Sequence, residues 1–222
     1  SNFYTSIFDG IAAGNLTNSN QVNRKYNLMI SSLKEQLISQ VFPENEIITP
    51  KSFNGPCVNM DFEEGDLNGW TLTKGKVDGT VPYSFTNGVS VGPGASHLIV
   101  SGTGNDPVIA AIPMVNPSSG NFSCRLGDGI GIQSGAARMS QTFLVTPSNS
   151  ILTYSYAVVF EDPNHTLQQQ PYFTVRVFDE NGNNIPCGSY SVIAGNNATA
   201  SGFSQQGNVL YKNWTTIFSP LN

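Results

Sequence analysis

Three short stretches hold the residue types that could do chemistry. In "EDPNHTLQQQP" (161 to 171), Glu161, Asp162 and His165 place two carboxylates beside an imidazole, the raw material of acid/base catalysis. A single loop histidine with no evident nucleophile and no second ordered carboxylate makes a thin catalytic set. The stretch therefore reads as the rim of a binding module, with Glu161, Asp162, His165, Gln169 and Tyr172 as ligand contacts. His97, the other histidine, stands in "SHLIV" and is expected to begin a strand. Ser96 beside it makes no triad by adjacency, because a triad is a spatial arrangement.

"NMDFEEGDLNGWTL" (59 to 72) gathers Asp61, Glu63, Glu64 and Asp66. Hard carboxylate oxygens suit calcium, so Asp61 and Glu63 are candidate ligands of a structural Ca²⁺, with a solvated acidic turn as the alternative. Phe62 and Trp70 are expected to anchor a core, and Gly65 and Gly69 to take the bends. "DENGNNIP" (179 to 186) starts like a calcium loop but lacks the bidentate Glu at its twelfth position, which here is Tyr190. Asn181-Gly182 between strand patterns predicts a type I′ hairpin turn instead. "RLGDGIGIQSGAARMS" (125 to 140) matches neither glycine-rich phosphate motif, so its glycines mark loop geometry. N-x-[ST] matches at Asn15, Asn121, Asn164, Asn197 and Asn213 are expected by chance in so Asn/Ser/Thr-rich a chain.

The elements that must position these residues follow from pattern. Residues 1 to 20 read as an extended polar lead. Val22, Tyr26, Met29, Leu33, Leu37 and Val41 recur at three- and four-residue steps, which predicts one amphipathic helix over 21 to 42, stopped before Pro43. That helix either covers an apolar surface of its own chain, or docks on another protein or links two modules. A Pro-rich linker spans 43 to 56. From Cys57 to Asn222 short β-rich runs alternate with turn clusters: "GWTLTKG", "SHLIVSG", "PVIAAIPMV", "NFSCRLG", "ARMSQTFLVT", "ILTYSYAVVF", "PYFTVRVFD", "GSYSVIAG" and "NWTTIFSPL". Their spacing predicts an all-β antiparallel sandwich. In "PYFTVRVF" alternation assigns Phe173, Val175 and Val177 to the core face.

Composition narrows the partners. The 222 residues carry 10 Lys and Arg against 15 Asp and Glu, a net charge of -5, and only 11% charged residues. No basic stripe is available to neutralise phosphates, which argues against nucleic acid and against an anionic membrane surface. No apolar run reaches the roughly 20 residues that span a bilayer. Cys57, Cys124 and Cys187 lie far apart, so a zinc ribbon is not expected; one is left over unless the compartment is reducing or its partner lies elsewhere.

Taken in order, "NMDFEEGDLNGWTL", "GNFSCRLGDG", "LTYSYAVVFEDPNHTLQQQPYFTVRVFDENGNNIPC" and "YKNWTTIFSPL" resemble the jelly-roll domain of large adhesin-like surface and secreted proteins of gliding bacteria, exported by type IX secretion. The resemblance covers about residues 57 to 222, and the long central stretch is its specific part. MAM domains and carbohydrate-binding jelly rolls share the "DFE…GW" opening. The resemblance implies further strands after "YKNWTTIFSPL", with a Cys, a Gly-Gly-His stretch and a late Asp. On that basis the jelly roll is expected to lack its last strands, a later Cys to pair with one of the three here, and Asp61 and Glu63 to hold half of a metal shell. The expected function is non-catalytic adhesion or display in an extracellular or cell-surface setting, with a surface protein or glycan as partner and secretion-machinery proteins as further candidates. The alternatives are a carbohydrate-binding module, with Tyr154, Tyr156, Tyr172 and Trp214 as stacking faces and Gln168, Gln169 and Gln170 as amide contacts, and then a glycan hydrolase, whose two carboxylates need only a suitable separation.

Overall fold

A computed structural model describes residues 55, 57–77, 85–127, 135–162, 165–166, 169–194 and 202–221. The chain divides into two units, Ser1–Asn45 and Glu46–Asn222, and every described residue belongs to the second. The polar lead, the helix expected over 21 to 42 and nearly all of the linker lie outside the described residues.

The described part is all-β and antiparallel. Ten strands run in chain order: β1 Thr71–Val77, β2 Phe85–Ser90, β3 His97–Ser101, β4 Phe122–Leu126, β5 Gly135–Ser140, β6 Ile151–Glu161, β7 Tyr172–Val175, β8 Tyr190–Ile193, β9 Ser204–Gln206 and β10 Val209–Pro220. They form the sheets β2-β1-β5, β6-β10-β9, β3-β4 and β7-β8. No helix among the described residues is long and apolar enough to cross a membrane.

β6 and β10 are the longest strands, and their period-two pattern explains the main core. Tyr156, Val158 and Phe160 point to one side of β6 and are buried, while Thr153 and Glu161 on the other side are exposed. Leu210 stands opposite Phe160 in the ladder. These four residues pack with Val192, Ala194 and Phe203, and Tyr154, Phe173, Tyr190 and Ile217 lie against the cluster. Two layers, β6-β10 and β7-β8, thus enclose an aromatic interior as the strand pattern predicts. The rings interlock: Phe160 stacks on Phe203 at 5.8 Å, and Tyr156 lies 4.9 Å from Tyr190 and 5.2 Å from Phe173.

Three expectations are corrected. "PVIAAIPMV" is not a strand but a folded loop, in which Asp106 Oδ1 accepts the backbone N–H groups of Val108 (2.9 Å) and Ile109 (2.8 Å). Pro107 and Pro113 have no N–H to offer a ladder, so the carboxylate wins the local competition. Ile109, Ile112 and Val115 are buried nonetheless. Tyr156, offered as a stacking face, is only 6% exposed and belongs to the core. The turn at Asn181-Gly182 falls where expected but is not type I′, because Gly182 has positive φ (81°) and Asn181 does not. Gly182 N–H donates to Asp179 O (3.1 Å) and Asp179 N–H to Asn183 O (2.9 Å), closing a three-residue loop of the type I plus bulge kind.

Candidate functional site

The predicted rim begins where β6 ends. Glu161 is the last residue of that strand and is exposed. Asp162 N–H donates to the carbonyl of Asn208 (2.7 Å), which ties the connector after β6 to the tip of the β9-β10 hairpin. Asp162 Oδ1 accepts the His165 backbone N–H (3.0 Å), a side-chain cap of the kind Asp favours at turns. Gln170 is buried and folds the connector back, its Nε2 donating to the His165 carbonyl (2.9 Å). Thr166 Oγ1 donates to Gln169 Oε1 (3.2 Å).

Glu161, His165 and Gln169 are therefore exposed on one connector, with Asp162 half-buried beneath them. Tyr172 stands apart at the start of β7, half-buried and paired with Ile193. Gln168 lies outside the described residues. The hairpin tip adds contacts that strand pattern did not reveal: Gln205, Gln206 and Asn208 are exposed around a two-residue turn at Gly207-Asn208. The only sequence signal for them is "SQQGN", a glycine set among amides. Together the two connectors present neutral amides, the His165 imidazole and the carboxylates of Glu161 and Asp162, groups able to donate and accept hydrogen bonds.

The other aromatic candidates are committed inward. Tyr154 donates its hydroxyl to the Gly188 carbonyl (3.1 Å), and burial first, then the neighbouring Tyr190, pushes its pKa up to about 12. Burial also raises Tyr156 and Tyr190. Trp214 donates its indole N–H to the carbonyl of Pro113 (2.7 Å), pinning β10 to the 107–115 loop. Lys212 Nζ sits 5.6 to 5.9 Å from the ring centres of Tyr190, Phe203 and Tyr156, so a cation of the chain itself faces that aromatic box.

The acidic turn does structural work. Glu63 Oε1 accepts the backbone N–H groups of Asn121 (2.8 Å) and Phe122 (3.2 Å), and Oε2 accepts the Asn121 side-chain amide (2.9 Å). Asp61 Oδ1 accepts the Glu63 backbone N–H (3.3 Å). Phe62 stacks on Trp70 at 5.4 Å, and Gly65 and Gly69 take the bends at φ 73° and 84°. Among the described residues no three His, Cys, Asp or Glu side chains are grouped to hold a metal. Three of the roughly four acceptor sites of the Glu63 carboxylate thus face N–H donors, which leaves one site on Oε2.

No family model, curated protein or solved structure matches the chain.

His97 begins β3 as expected and is fully buried. Its Nε2 lies 2.9 Å from the Arg138 carbonyl, which can only accept, so Nε2 carries the proton and donates. Cys124 is half-buried, and burial raises its thiol pKa to about 11, away from the reactive thiolate. Cys57 and Cys187 are exposed, and none of the three is in a disulfide.

One acid-stability prediction arises here. Hydrogen bonds from the Asn121 backbone and side chain hold the Glu63 carboxyl below its ordinary value of 4.5; the Asn183 side chain and backbone do the same for Asp179, ordinarily 3.8. A depressed folded-state pKa gives stability that is present above the ordinary value and is lost as pH falls through the folded value. Urea unfolding followed from neutral pH into that acid range is expected to show a flatter acid slope for Glu63→Gln and Asp179→Asn than for the wild type. Parallel slopes would show that neither carboxylate contributes to the acid loss.

Proposed function

We propose that this domain is a non-catalytic, extracellular or cell-surface adhesion module that binds through polar connectors at one end of a β-sandwich, completed in the jelly-roll manner that its sequence resembles. The observation that carries the reading is the Asp162 to Asn208 hydrogen bond (2.7 Å), which sets two exposed polar connectors side by side on a rigid base. Glu161, Asp162, His165 and Gln169 are the contacts on one connector, and Gln206 and Asn208 on the other. Ligand groups rich in hydroxyls or amides are the chemistry such a rim recognises. A cell-surface protein or glycan supplies them, and secretion machinery of the type IX kind is a further partner that rests on the resemblance alone. A structural Ca²⁺ at Asp61 and Glu63 plays no part in this reading.

A carbohydrate-binding module is the second reading, favoured by the density of exposed amides. It loses Tyr154, Tyr156 and Trp214 as platforms and keeps Tyr172. Both readings are tested by measuring binding of the whole chain to a glycan array and to intact bacterial cells, alongside His165→Ala/Gln169→Ala/Asn208→Ala. Loss of about ten-fold or more in affinity on removing three rim contacts is the expected result, since buried contacts of this sort are each worth about 1 kcal/mol. Undiminished binding by the triple variant would remove the rim from the account, and glycan turnover would replace adhesion with hydrolysis.

A further inference from the structure

β6 forms one edge of its sheet: the order is β6-β10-β9, and among the described residues no strand pairs with its outer side. Edge strands are ordinarily blunted by shortness, by charge, by proline or by a bulge. Most of the other edges are short, polar or charged, although β3 ("HLIVS") is protected by little beyond its five-residue length. β9 has three residues, all exposed and polar; β7 and β8 have four each; β2 contains Asn87-Gly88, and β5 carries Arg138. β6 has eleven residues, "ILTYSYAVVFE", with no proline, no glycine and no charge before Glu161. The bulge in its ladder with β10 falls between Lys212 and Thr215 on β10. The buried side chains Tyr156, Val158 and Phe160 carry the apolar interior right up to this edge.

We infer that the free edge of β6 pairs antiparallel with the β6 edge of a second copy of this chain, joining two sheets across a two-fold axis at Tyr156. The sequence of β6 is complementary to itself in that register. Full overlap of the eleven residues sets Tyr156 opposite Tyr156 of the other copy, Tyr154 opposite Val158, Leu152 opposite Phe160, Thr153 opposite Val159 and Ile151 opposite Glu161. Every inward pair is apolar or aromatic, and the inner faces stay on one side because even-numbered residues meet even-numbered ones. The single charge meets isoleucine, and the two Glu161 carboxylates fall at opposite ends of the paired strands, about 33 Å apart for ten residues of strand. Such an isologous contact closes on itself and leaves no further β6 edge open. The seam meets the rim only at Glu161, the last residue of β6, and the positions that test it, Thr153 and Val159, lie outside the rim.

Sedimentation of the whole chain over a concentration series, with circular dichroism to verify folding, tests the inference. The wild type is expected to dimerise. Thr153→Lys/Val159→Lys creates two Lys–Lys oppositions per dimer and is expected to weaken dimerisation about ten-fold or more, whereas Thr153→Glu/Val159→Lys creates two Glu–Lys pairs in the same places and is expected to keep it. Within one copy these positions are about 20 Å apart, so the two variants differ chiefly in what faces them across the axis. A wild type that stays monomeric, even one that captures a foreign strand, overturns the inference. So does equal weakening of the two folded variants, or a dimer untouched by the paired lysines.

Discussion

Phe160→Ala is expected to remove about 3–5 kcal/mol of folding stability, the usual cost of deleting a fully buried ring. Phe160 is 7% exposed and lies parallel to Phe203 at an interplanar angle of 7°, with Leu210 across the ladder and the β8 residues Val192 and Tyr190 in the same cluster. Those neighbours come from strands on both layers, so collapse around the void would have to move two sheets at once. A domain of this size has only about 5–15 kcal/mol in total, so the variant should unfold at much lower denaturant. The slope of the unfolding transition should stay the same, because the surface exposed on unfolding hardly changes. Phe218→Ala serves as the contrast: Phe218 is 70% exposed on the opposite face, and its loss is expected to stay within about 0.5 kcal/mol. Equal midpoints for the two variants would show that the inward face of β6 had been assigned wrongly.

That contrast also shows what pattern can and cannot reveal. The alternation of Tyr154, Tyr156 and Val158 with smaller residues in "ILTYSYAVVF" makes β6 legible as a strand but not its core face, because Ile151, Ala157 and Val159 on the other side are apolar too and Tyr156 reads equally well as a stacking face. β2 was not legible, because Asn87-Gly88 inside "FTNGVS" reads as a turn, and here the strand is held by its neighbour β1 rather than by its own propensity. β9, "SQQ", has no apolar residue at all and exists as one arm of the hairpin with β10. The run from Val108 to Val115 misled in the other direction. Its apolar residues are buried, as a strand's would be, but Asp106 folds them into a loop.

The candidate rim was half legible for a related reason. Asp162-Pro163 and His165 announce a polar turn, and the Asp162 cap on His165 is a local interaction that sequence can anticipate. The partner of that turn, Asn208, comes from far along the chain and is brought in by the β6-β10 ladder. Nothing local distinguishes Asn208 from the many other asparagines. Likewise Glu63 reads as a metal ligand by type, and only the approach of Asn121 and Phe122 shows which donors it serves. A carboxylate satisfied by backbone N–H groups and one bound to a cation look alike in sequence. They differ in what the fold brings to them.

Gly188→Ala is expected to cost about 1–3 kcal/mol, the range for inserting a methyl group into filled space. Gly188 ends the short 3-10 turn Pro186–Gly188 and is buried. A Cβ there would stand 2.7 Å from Ser219 Oγ and 2.8 Å from Val177 Cγ2, well inside contact distance. Retreat of the turn would also strain the bond from Tyr154 Oη to the Gly188 carbonyl (3.1 Å), which connects it to β6. The two obstacles can be separated. Ser219 is fully buried on β10, and its hydroxyl donates to Pro220 O (3.2 Å), so Ser219→Ala alone should cost only about 0.5–1.5 kcal/mol. In that background the Oγ is gone but Val177 remains, and Gly188→Ala should cost roughly 0.5–1 kcal/mol less than in the wild type, a coupling typical of residues in contact. Urea unfolding of the four proteins closes the cycle. Strict additivity would mean that the turn does not press on β10 at Ser219, and close packing of Pro186–Gly188 against the end of β10 would have to be abandoned.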